Sequence, residues 1–256
     1  MKKGKRGGLA AIILAAGKGT RMNSDLTKVL HSICGKPMLS YVTALARNLG
    51  AEKTVVVVGH QASMVMETMA GEDLIYAVQK EQLGSANAVL QAARALHDFD
   101  GDVLILCGDV PLLLVSTVKA LLASHRSSKD AITVMTAVLD DPGSYGRVVK
   151  NEKGDVLKIV EARDASEEEK MITEVNTGIY CADSAFLFEA VKKIDNKNSQ
   201  GEYYFTDIFE IASRGNYKTG SFIIDDSSEA MGINTPYDLK AAETIVALRN
   251  CSKLCD

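Results

Sequence analysis

Apolar positions along this chain come in two rhythms. Short unbroken runs at residues 9–16, 54–58, 74–78 and 103–106 alternate with stretches in which apolar residues recur at spacings of three and four. Continuous runs bounded by turn residues suit strands buried on both faces, and the wider spacing suits helices with one apolar stripe. Pro37 opens one such helix, which carries Met38, Leu39, Val42, Leu45 and Leu49 and is stopped by Gly50. Ser85 is expected to cap a second, with Val89, Leu90, Ala93 and Leu96, and Pro111 to start a third that reaches about His125. This alternation predicts an α/β fold with a parallel sheet covered on both faces, right-handed crossovers, and ligands at the carboxyl ends of the strands. The Gly17 loop, residues 79–85 and Asp109 each follow a predicted strand, so all three are expected along one edge of the sheet.

From about residue 131 the pattern changes. Residues 131–139, 147–150, 156–160 and 174–181 read as longer, partly alternating strands, with turns at Asp141-Pro142-Gly143 and Glu152-Lys153-Gly154. Helices resume near 185–192, 205–212 and 237–248. No repeat, low-complexity tract or Pro-rich linker interrupts the chain. The expectation is therefore one domain over 1–256: a ligand-binding first part (1–130), a ligand-facing elaboration of the same sheet (131–234) and a C-terminal helix (235–256).

Composition narrows the class of ligand more than the fold. A net charge of −4 gives no global pull toward nucleic acid or anionic membrane, so an anionic ligand needs a local basic site. No apolar run approaches the ~20 residues of a membrane span. Cys34, Cys107, Cys181, Cys251 and Cys255 contain no C-x-x-C pair, and their odd number fits reduced thiols in a cytoplasmic protein. Cys107 reads as a small buried hydrophobe in preference to a nucleophile. The basic run Lys2-Lys3-Gly4-Lys5-Arg6 before residues 9–16 has the outline of a secretion signal, but Lys18 and Arg21 stand where a cleavage region is neutral, so a buried strand is the better account.

The loop after that strand, Gly17-Lys18-Gly19-Thr20-Arg21, matches neither common phosphate motif, because Met22 stands at the third glycine of G-x-G-x-x-G and no Gly-Lys-Ser/Thr follows. Glycines still let backbone N–H groups approach an anion, and Arg21 and Lys28 add full charges, a combination that suits a di- or triphosphate. A solvated loop with surface cations remains the plain alternative. Taken singly, Asp109 has a helix cap as its plain alternative, Asn234 reads first as a turn residue and Glu161 first as an exposed strand residue.

Taken together, "LAAGKGTRMNSDLTKVL", "QKEQLGSANAV", "CGDVPLL", "GSYGRVV", "IVEARDA", "EVNTGIY", "QGEYYFTDI" and "GINTPYDL" closely resemble, in order and spacing, the sugar-phosphate nucleotidylyltransferases in the form found in bacterial N-acetylglucosamine-1-phosphate uridylyltransferases. The resemblance implies a Rossmann-like, mostly parallel sheet with helices on both faces and a β-rich sugar-binding elaboration, the nucleotide-diphospho-sugar transferase fold. It implies attack of a sugar 1-phosphate on the α-phosphorus of UTP, with loss of pyrophosphate and Mg²⁺ as cofactor. Arg21 and Lys28 match the catalytic cations. Leu14, Ala15, Ala16, Gly17, Gly19, Gln79, Gly84 and Ser85 match the nucleotide-binding set, and Asp109 and Asn234 match the metal ligands. Gly108, Gly146, Glu161, Asn176, Tyr203 and Thr206 match the sugar-binding set; Tyr203 and Tyr204 have core packing as an equal alternative.

The chain departs from the pattern at Ser85-Ala86-Asn87-Ala88, where Thr-x-His-Ala is usual, at Cys107, and after Asn234. These departures leave another sugar 1-phosphate (glucose 1-phosphate with UTP or dTTP) as the rival enzyme, and a non-catalytic sugar-nucleotide-binding subunit as the non-enzymatic rival. His31, His60, His97 and His125 match no catalytic position and read as surface or capping residues. The bifunctional relatives continue into a left-handed β-helix acetyltransferase domain. Its hexapeptide repeat does not occur here, so the expectation is a monomer or weak dimer that is not a β-helix trimer, with UTP and N-acetylglucosamine 1-phosphate as small-molecule partners and neither nucleic acid nor membrane.

Overall fold

Eight consecutive residues, Gly8–Ala15, form the first strand, β1, at the centre of the molecule. The computed structural model describes residues 7–252, and side chains through 249. The basic run at 2–6, Cys255 and the side chain of Cys251 lie outside the described residues. Alternate side chains of β1 feed two cores: Ala11, Ile13 and Ala15 pack on one face of the sheet, and Ala10 and Ile12 on the other. Both faces are dry, which is why this strand is apolar throughout instead of alternating.

Strands β2 (Ser32–Ile33) and β3 (Lys36–Pro37) pair as a small hairpin that leads into helix α1 (Met38–Asn48). Strand β4 (Lys53–Val58), helix α2 (Ala62–Thr68), strand β5 (Ile75–Val78), helix α3 (Ser85–Ala92), strand β6 (Gly101–Cys107) and helix α4 (Val115–Ser128) complete the first half. In the second half come β7 (Ile132–Val138), β8 (Arg147–Lys150), β9 (Val156–Val160), the short α5 (Glu167–Lys170), β10 (Glu174–Asp183), α6 (Ser184–Ala190), α7 (Ile208–Arg214), β11 (Thr219–Ile223) and α8 (Pro236–Ser252).

Nine strands join one sheet in the order β11-β7-β10-β6-β1-β4-β5, with β8 and β9 attached through β10. The β6-β1-β4-β5 block is parallel, as is β11 with β7; β10 runs antiparallel to both β6 and β7. Helices α1 and α4 cover one face with Leu39, Val42, Val118 and Leu121, and α3, α6 and α7 cover the other with Val89, Leu187 and Phe209. The register aligns the strand ends. Leu14 pairs with Cys107, Ala15 with Val58, and Val58 with Val78. The residues that follow, Ala16–Gly17, Gly108–Asp109 and Gln79, therefore share one rim of the sheet. No helix among the described residues is long and apolar enough to cross a membrane.

Several sequence expectations shift here for physical reasons. Pro37 sits outside α1, paired across the hairpin with Ser32, so the helix begins at Met38. Gly84, not Ser85, holds the cap position of α3; the Ser85 hydroxyl instead accepts from the Phe205 backbone N–H at 2.9 Å. Helix α4 begins four residues after Pro111, where Glu229 accepts from Leu114 N at 3.0 Å and from the Thr117 hydroxyl at 2.9 Å, replacing a local cap. Asp109 is thus not a cap of α4.

His125 is fully buried instead of at the surface, with Nδ1 2.9 Å from Thr133 Oγ1. It lies near the buried Asp102 and Cys181, and these three are the metal-capable group of His, Cys and carboxylate side chains found among the described residues. Arg126 already donates to Asp102 at 2.6 Å and supplies the positive charge there, so the cluster works as an internal ion pair anchoring α4 to β6.

Candidate functional site

The rim carries a cavity of about 310 Å³ lined by Leu14, Ala15, Ala16, Gly17, Lys28, Gln79, Gly84, Ser85 and Asp109, together with Val29, Gln82, Ala88, Cys107 and Glu202. Most of the residues expected to bind a nucleotide are therefore in one place. Sequence reasoning missed Gln82. It donates from Nε2 to the Ala16 carbonyl at 3.0 Å and ties the loop after β5 to the loop after β1.

At one end of the cavity the charged groups converge. Lys28 Nζ donates to Asp109 Oδ2 and, at 2.9 Å, to Asn234 Oδ1; Arg21 Nη2 donates to the same Asn234 oxygen at 3.0 Å. These residues come from the loop after β1, the end of β6 and the turn before α8. Gly19 makes the approach possible. Its φ of +66° favours glycine, and a Cβ there would stand 2.4 Å from Lys28 Cβ.

Asn234 is held from behind. Its Nδ2 donates to the Gly232 carbonyl at 3.1 Å, and its backbone N–H donates to Asp238 Oδ2 at 2.9 Å. Thr235 and Asp238 exchange hydrogen bonds as a capping pair at the start of α8. The Asp109 and Asn234 oxygens already meet on one ammonium group, so they point at a common position. Two hard oxygen donors, one anionic, fit a hard divalent cation, with the remaining positions left for phosphate and water.

Gly84 is required by the backbone. At φ +110°, a Cβ there would lie 2.5 Å from the Tyr203 carbonyl oxygen and 2.8 Å from its nitrogen. Gly84→Ala is expected to cost about 2–4 kcal/mol of stability, read as a lowered urea midpoint at unchanged slope.

Four of the expected sugar-binding residues, Gly146, Glu161, Asn176 and Thr206, stand apart from the lining of the cavity, whereas Gly108 and Tyr203 adjoin it. The Thr206 hydroxyl donates to Glu161 Oε1 at 3.3 Å, and the Asn176 backbone N–H donates to the Gly146 carbonyl at 2.9 Å. Arg147 donates to the carbonyls of Gly143 and Tyr145 and shapes the loop that carries Gly146; this role was not visible in the sequence. Burial raises the Tyr145 hydroxyl above its usual range, and the carboxylates of Asp238 and Asp109 raise it further. Cys107 links the two groups by donating to the Gly178 carbonyl of β10 at 3.4 Å. Burial pushes its thiol up to about 12, so it supplies no thiolate near neutrality.

Gly108 touches the Leu14 carbonyl through its N–H at 2.9 Å and keeps β6 close to β1. Tyr203 braces Gly84 through its backbone and is half-buried, whereas Tyr204 is buried.

Two carboxyls in this second group are raised. Burial pushes Glu161 up, opposed by the Thr206 hydrogen bond and aided by the charge of Asp164. Burial, then Glu210, Asp195, Glu161 and Asp164, push Asp207 from 3.8 up to about 6. The folded protein therefore holds the Asp207 proton more tightly than the unfolded chain does. The cost to stability is absent below pH 3.8, grows between 3.8 and 6, and is complete above that. Asp207→Asn should raise stability by about 1 kcal/mol at pH 8, after discounting for solvent screening, and leave it unchanged near pH 3, as measured by urea unfolding at both pH values.

The nucleotidyl transferase family model matches residues 10–231, which include the rim and most of the charged cluster. This chain belongs to the nucleotidyl transferase family. Among curated relatives of this nucleotidyl transferase chain, the bifunctional protein GlmU of Geobacter metallireducens is 48% identical over 237 residues, covering 92% of this chain and 50% of that protein. The protein of the same name from Geobacillus thermodenitrificans is 47% identical over 241 residues, covering 94% and 52%. That from Pelobacter propionicus is 49% identical over 242 residues, covering 94% and 53%. The chain spans about half the length of the curated relatives it matches.

Proposed function

We propose that this nucleotidyl transferase moves the uridylyl group of UTP onto N-acetylglucosamine 1-phosphate, giving UDP-N-acetylglucosamine and pyrophosphate. The observation that carries the reading is the meeting of Arg21, Lys28, Asp109 and Asn234 at the end of a cavity lined by backbone of the loop after β1. Nucleotide phosphates and a sugar phosphate bring several negative charges together, and the reaction redistributes charge over the transferred group. Catalysis of that kind is positioning plus electrostatic stabilisation, with no side-chain nucleophile required.

In this reading the residues divide the work. Leu14, Ala15, Ala16, Gly17, Gly19, Gly84 and Ser85 seat the nucleoside, and Gln79 faces the base. Arg21 grips triphosphate oxygens with its planar fork, and Lys28 neutralises charge beside the reacting phosphorus. Asp109 and Asn234 would hold Mg²⁺, which when bound would draw charge from the phosphate oxygens. Gly108, Gly146, Glu161, Asn176, Tyr203 and Thr206 orient the sugar; a raised Glu161 carboxyl suits hydrogen bonding to hydroxyls in a half-buried setting. The chain acts as a single nucleotidyltransferase unit in the cytoplasm, with residues 1–130 serving the nucleotide, 131–234 the sugar and 235–256 forming the C-terminal part that contains α8.

Pyrophosphate release with a panel of nucleoside triphosphates and sugar 1-phosphates tests the reading. The expected result is turnover centred on UTP with N-acetylglucosamine 1-phosphate and dependent on added Mg²⁺. Exclusive turnover of glucose 1-phosphate overturns the sugar assignment, and nucleotide binding without any turnover points to the non-catalytic subunit.

A further inference from the structure

The Gln79 amide is gripped by its nitrogen alone. Nε2 donates to the Gly84 carbonyl at 3.0 Å and to Asn87 Oδ1 at 3.0 Å. A backbone carbonyl can only accept, so the Gly84 contact identifies which end is nitrogen, and the two bonds use both amide protons. Oε1 meets no donor among the described residues and is not among the polar atoms sealed inside the protein. The residue is 4% exposed yet lines the cavity, and its backbone N–H is fixed to the Val58 carbonyl at 2.8 Å. Asn87, on the first turn of α3, does not line the cavity and reaches it only through Gln79. The cavity is therefore offered a fixed acceptor at this point.

We infer that Asn87 is a positioning residue for base selection, holding the Gln79 amide so that its oxygen faces the ring edge of the nucleobase. The inference rests on the reading that Gln79 faces the base. A fixed acceptor pairs with a ring that carries N3–H, as uracil does, and opposes the lone pair on N3 of cytosine. Turning the amide over would suit cytosine, but it would forfeit both Nε2 contacts and set Oε1 against the Gly84 carbonyl. Asn87 supplies one of those two contacts. Thymine carries the same N3–H, so this device sorts by ring edge and is blind to the 5-methyl group.

Equilibrium titration of the chain with UTP and with CTP, in Mg²⁺, tests the inference without depending on the sugar. Asn87→Ala is expected to bind UTP about tenfold more weakly while CTP changes by less than about twofold, so the preference falls about tenfold. Asn87→Asp keeps an acceptor and suits the start of a helix, and it should restore UTP affinity to within about threefold of the parent. Asn87→Ser is tolerated in a first turn but too short to reach Nε2, and it should behave like the alanine variant. An unchanged UTP preference in Asn87→Ala or Asn87→Ser, or equal losses for both nucleotides, overturns the positioning role. Gln79→Ala separates the two levels. If it leaves UTP affinity unchanged, the base-facing reading itself fails; if it weakens UTP while the Asn87 variants keep their preference, only the role of Asn87 fails.

Discussion

Asp109→Ala is expected to lower kcat about a thousandfold while moving Tm by no more than a few degrees. The carboxylate is the anionic member of the oxygen pair that meets on Lys28, and Asn234 alone is a neutral and weaker ligand for a divalent cation. The backbone at Asp109 is held independently of the side chain: the Val110 N–H donates to the Cys107 carbonyl at 3.1 Å, and the Ile233 N–H donates to the Asp109 carbonyl at 2.8 Å. Truncation should therefore spare the fold. A magnesium titration of turnover, run beside thermal melts, separates the two effects. Near-normal magnesium-dependent rates would remove Asp109 from the reaction.

The second large effect belongs to Arg21. Arg21→Ala is expected to reduce kcat about a thousandfold, and Arg21→Lys to recover only about tenfold of that loss. Lysine restores charge but not the planar fork that can meet two phosphate oxygens at once. The side chain is exposed and its contact with Asn234 Oδ1 at 3.0 Å is a surface one, so neither variant should alter stability. Full recovery in Arg21→Lys, measured as kcat at saturating substrates, would show that charge alone matters here.

The parallel strands were the most legible part of the fold, because a strand dry on both faces must be apolar without interruption, as residues 9–16 are. Their order along the chain then placed the Gly17 loop, Gln79 and Asp109 on one rim, which the register of β1, β4, β5 and β6 reproduces. The strands and helices that were missed lack such a signal. Helix α2 buries only Val65 fully, and β11, with the pattern Thr-Gly-Ser-Phe-Ile, buries only Thr219. Partners distant in the chain were equally invisible: Glu229 starts α4, Ser85 serves Phe205, and His125 finds Thr133 and Asp102 in the interior. In the site, the resemblance singled out the two cations and the two oxygen donors, which the structure brings together. It gave no role to Gln82 or Arg147 and marked Asn87 only as a departure from the pattern, since each acts by holding another residue.

The claim on which the rest depends is that Arg21, Lys28, Asp109 and Asn234 receive the phosphate chain and its metal ion. A crystal structure of the chain with UTP and Mg²⁺ tests it most directly. The triphosphate is expected at the Gly17–Lys28 end of the cavity, the metal between the Asp109 and Asn234 oxygens, and both basic side chains on phosphate oxygens. A nucleotide bound elsewhere, with the residue 21–28 segment turned to solvent and no anion beside it, would show that these four residues do not receive it.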